Sequence, residues 1–200
     1  MSDIYELIKD RLGMGMEKLE VLQEKAQRIS VLSGFIARKI SDKKLLNMSE
    51  HEIQDVALIT RTVHLDNEGM YQGKEPFDFE KNKARGQYSL KVVEERGVEL
   101  TDVQKAVVRG GSDLIEERII KLAETTVALQ YRRVQRGVQK EPISRPVDIM
   151  AELLSDSRID AELINDVIGT QEFENLIIAE KRSAIQREKA KKDKDGSFEF

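Results

Sequence analysis

Between Met16 and Ile40 the residues Leu19, Leu22, Ala26, Ile29, Leu32, Ile36 and Ile40 recur every third or fourth position. That spacing draws one apolar stripe along a long helix, and a helix so marked must bury the stripe against other elements. With three prolines in 200 residues, little stops other segments from doing the same. Aromatics make up 5% of the chain and there is no Trp, so the core must be built from Leu, Ile, Val, Ala and Met. The expected class is all-α, a compact helical bundle.

Punctuation divides the rest of the chain. A short amphipathic helix is expected over 3–12, ending near Gly13. Ser49 followed three residues later by Glu52 reads as a capping box that opens a helix to about Val63. Residues 64–78, with Gly69, Gly73 and Pro76, read as a loop. Helix is expected again from about Phe79 to Glu95, stopped by Arg96-Gly97. Thr101-Asp102 opens a helix to about Arg109, which Gly110-Gly111 breaks. A strong helix is expected over about 113–131, with Leu114, Ile115, Ile119, Leu122, Val127 and Leu129 apolar. The basic segment from Tyr131 to Pro142 reads as loop. Ser144-Arg-Pro opens a helix to Leu154, a short helix spans 159–168, and Thr170 caps a last one to about Ala190 before a polar tail. No strand pattern stands out.

Composition excludes several functions. A net charge of −4 disfavours a general nucleic-acid binder. No apolar run reaches transmembrane length, so no membrane insertion is expected. The N-terminus, MSDIYELIKDRLG, lacks the layout of a secretory signal. The absence of Cys excludes disulfides and thiolate sites, and a cytoplasmic setting is the expectation. The histidines are His51 and His64 alone. His64, Asp66, Glu68 and Asp78 fit no calcium-loop spacing and read as a solvated acidic stretch. Gly13-Met14-Gly15-Met16 has no preceding strand to make it a phosphate loop and reads as a turn.

Five segments in order carry a resemblance. Lys25-Ala26-Gln27-Arg28-Ile29 is similar to an H-x-x-R-V helix, and Val56-Ala57-Leu58-Ile59-Thr60-Arg61 to an A-L-L-H-D run. Ala123 to Leu129 is similar to A-D-x-x-D-A-L. Tyr131-Arg132-Arg133 stands near R-P-Y-R, and Ile159 to Ile164 resembles F-D-P-E-L-V. Over residues 16–170 the chain resembles the HD-GYP branch of the HD-domain phosphohydrolases, bacterial helical domains that cleave cyclic di-GMP at a centre of two or three metals. The resemblance implies three parts: a leading helix and turn over 1–15, an HD-like domain over 16–170, and a C-terminal helix and charged tail over 171–200.

The departures fall on the chemistry. The positions of the family's metal ligands correspond to Lys25, to Thr60-Arg61, to a site near Arg85, to Gly110-Gly111 and to Glu124, and the G-Y-P loop is missing. Lys and Arg offer no lone pair to a metal at neutral pH. The resemblance therefore implies no metal, no cofactor and no enzyme. It implies a degenerate pseudo-phosphodiesterase that acts as a regulatory or protein-interaction module in bacterial signalling. Partner proteins are expected, and a homodimer is open through the apolar side of the last helix (Phe173, Leu176, Ile177, Ala184, Ile185).

The alternative is a metal-free sensor. In it Arg61, Arg85, Arg109, Arg132 and Arg133 hold cyclic di-GMP or another phosphorylated ligand, and Lys25 with Glu124 orders the pocket. The structural counter-reading is that the cations pair with Glu124 and tie helices together where the metals stood.

Overall fold

In this computed structural model the description covers residues 16–68, 97–131, 133–135, 138–143, 145–167 and 170–176, together with 87, 90–91 and 93–95. Residues 16–22, 61–68, 133–135 and 138–140 are described by backbone alone. The expected helix over 3–12, most of the loop over 64–78 and the distal part of the last helix lie outside these residues.

The stripe folds as its spacing demands. Helix α1 spans Met16–Ile40, and Ala26, Ile29, Leu32, Ile36 and Ile40 are all buried. Its burial is wider than one stripe, because Ser33, Gly34, Phe35 and Ala37 are buried too. The reason is that α1 has two neighbours. It packs along helix α2, Glu50–Glu68, and along helix α4, Ile115–Leu129. Between them in sequence lies helix α3, Asp102–Arg109. The three-helix centre is closed by Ile53, Val56 and Ala57 of α2 and by Ile119, Leu122, Ala123 and Val127 of α4. Burying each large aliphatic side chain there stabilises the fold by about 2 kcal/mol.

Local chemistry sets the ends. The Ser49–Glu52 capping box forms: Glu52 Oε2 accepts from the Ser49 N–H at 2.8 Å and from its hydroxyl at 2.7 Å. Ser49 Oγ in turn accepts from the Glu52 N–H at 3.3 Å. These bonds, the backbone one first, hold the Glu52 carboxyl below its ordinary pKa. Thr101 and Gln104 form the equivalent box at α3. Residues 87, 90–91 and 93–95 are helical, and Gly97 beyond them has a φ of +71° that suits a residue without a side chain. There Ile59 and Val93 make a small satellite core under Val98 and Leu100.

Two expectations are corrected. Helix α2 continues through residues 64–68, which were expected to be loop, because no Gly or Pro occurs before Gly69. The basic segment after Tyr131 is not simply a loop. Arg133–Gln135 (β1) and Val138–Lys140 (β2) pair antiparallel, with Val134 opposite Gln139. The signal was present as two short Val-bearing runs flanking Arg136-Gly137, but at three residues each they were too short for a period to show. The class remains all-α, with this small ribbon as an appendage.

The chain divides into two compact units, Met1–Pro142 and Ile143–Phe200. In the second, Pro146 stands in the first turn of helix α5, Pro146–Ser155, and Arg145 grips Asp148 through two bonds of 2.6 and 2.7 Å. This grip holds the Asp148 carboxyl below its ordinary pKa. Helix α6 spans Ala161–Val167. Thr170 caps the helical residues 171–176, accepting from the Phe173 N–H at 3.3 Å, and Phe173 itself is buried. Among the described residues no helix is long and apolar enough to cross a membrane.

Candidate functional site

Of the residues singled out by the resemblance, Lys25 and Arg28 sit on α1, Glu124 on α4 and Tyr131 just beyond α4. Lys25 lies half-buried on α1, one turn before Arg28 on the same side. Tyr131 follows the end of α4 and places its ring against both cations. Lys25 Nζ stands 4.5 Å from the ring centroid, and the Arg28 guanidinium carbon 5.2 Å. Arg28 Nη1 donates to the Tyr131 hydroxyl at 2.8 Å, and Nη2 donates to Gln130 Oε1. Glu124 is partly buried on α4, about two turns before Tyr131. This is a polar, cationic and aromatic cross-link between two packed helices. Cations over an aromatic face are held by its quadrupole, and more strongly where water is partly excluded.

The other candidates are dispersed or lie beyond description. Arg109 ends α3 and is exposed, where it complements the helix dipole. Arg61 sits in α2 and Arg133 opens β1, both described by backbone only. Arg85 and Arg132 lie outside the described residues. Among the described residues no three of His, Asp and Glu gather as a metal site would need. Thr60 is buried and turns its hydroxyl back onto the Val56 carbonyl at 2.7 Å.

Gly110 and Gly111, with φ of +75° and +78°, form the concave turn that could cradle an anion. Its donors are already engaged. The Gly111 and Ser112 N–H groups donate to the Glu117 carboxylate at 2.8 and 2.7 Å, and the Ser112 hydroxyl donates to it at 2.5 Å. An internal carboxylate occupies the place a phosphate would take. Asp160, within the segment that resembles F-D-P-E-L-V, caps α6 by accepting from the Glu162 and Leu163 N–H groups. A helix start of this kind is chemistry that many unrelated chains share.

Sequence reasoning missed three residues. Arg28 and Tyr131 were quoted for the resemblance but not as partners, since nothing local reveals a pairing across 103 positions. Glu116 was missed altogether. It is fully buried in the first turn of α4, and Oε1 accepts from the Asn47 N–H at 2.5 Å. Glu is common in first turns, so no signal in the sequence marks this one as buried.

No family model matches the chain, and no curated protein or solved structure matches it either.

Proposed function

We propose that this chain is a non-catalytic, HD-GYP-like helical module that works through contact with partner proteins. The observation that carries this reading is the Lys25–Arg28–Tyr131–Gln130 cross-link. Lys25, which the sensor reading would set in the pocket, lies against the Tyr131 ring together with Arg28, whose guanidinium also donates to the Tyr131 hydroxyl and to Gln130. The Glu117 carboxylate in the Gly110–Ser112 turn supports it independently, because bringing a phosphate there means displacing a like charge. In this reading the former active-site region has become a structural centre, and regulation of bacterial signalling is exerted from the surface.

The test is calorimetric titration of the purified chain with cyclic di-GMP in chelator, with a manganese-dependent hydrolysis assay alongside. The expected result is no saturable heat and no metal-dependent turnover. Micromolar or tighter binding without turnover would instead make the chain a sensor, with Arg61, Arg85, Arg132 and Arg133 as the residues to substitute. Turnover above background would overturn both readings.

A further inference from the structure

We draw no further inference here: the strongest candidate, the exposed apolar stripe of Val147, Ala151 and Leu154 along helix α5, is an unpartnered helix face, and nothing in the structure shows what covers it.

Discussion

Helix α1 meets its two neighbours by opposite means. Against α2 the contact is close and made of small residues: Ser30, Ser33, Gly34 and Ala37 let the helices approach until the Ser30 hydroxyl donates to the Gln54 carbonyl at 2.8 Å. A Cβ at Gly34 would stand 2.1 Å from Gln54 Nε2 and 2.6 Å from its Cγ. Against the end of α4 the contact is long-armed and polar: Lys25 and Arg28 reach Tyr131 and Gln130. The first contact is specified by shape, and any side chain at Gly34 would have to displace the Gln54 side chain that lies against it. The second is specified by hydrogen bonds and charge and can flex. One helix therefore carries a rigid joint in its C-terminal half and an adaptable one further toward its N-terminus.

The largest effect is expected at the rigid joint. Gly34→Leu should destabilise the chain by about 3 kcal/mol, since overpacking a close crossing forces off-rotamer side chains and helix displacement. Urea unfolding measures it. A loss under about 1 kcal/mol would mean that the α1–α2 contact is as compliant as the α4 end. Tyr131→Ala tests the other joint. It removes a half-buried ring and both its cation contacts, and should cost about 2 kcal/mol. Tyr131→Phe keeps the ring and loses only the bond to Arg28, and should cost about 1 kcal/mol. If the two substitutions cost the same, the ring contributes nothing and the joint is held by the hydroxyl alone.

A gain is expected at Ser33. Its hydroxyl is fully buried in the close crossing without a hydrogen-bond partner. Ser33→Ala removes that unsatisfied group and improves helix propensity, and should stabilise by about 1 kcal/mol in the same assay. A destabilising outcome would show that the crossing needs the hydroxyl's volume.

The smallest effect concerns pH. The Glu52 carboxyl is held below its ordinary pKa of 4.5, so its contribution is present in full above that value and fades as the pH falls through the lowered one. Glu52→Gln should lower the melting temperature slightly at pH 7. The gap to the parent should close in acid, where both side chains are uncharged. A gap that persists unchanged in acid would mean that the box depends on shape rather than charge.

Helix starts were legible wherever a side chain within four residues makes the bond. Ser49 with Glu52, Thr101 with Gln104, and Thr170 all cap as their spacing implies. Helix α1 and its buried positions followed from period alone. The second buried face of α1 was not legible, because Ser33 and Gly34 are not apolar signals. They become interior only when another helix arrives. The candidate site was legible in part. Lys25 and Glu124 lie on neighbouring helices of one unit, but Arg109 is exposed at another helix end.

What the amino-acid order determined by itself is local: helical period, caps, the Gly97 and Gly110 stops, an aliphatic core, and an acidic chain with a few basic stretches. Each depends on groups a few residues apart, whose geometry the backbone fixes without help. Only the tertiary structure decided that Arg28 meets Tyr131, that Glu116 lies buried beneath Asn47, and that the Gly110–Ser112 turn is filled by Glu117 rather than left open to an anion. The first two join residues far apart in the chain, and the third depends on how the turn folds back. In each case the charge on the side chain is encoded in the sequence, while the partner that satisfies it is set by packing.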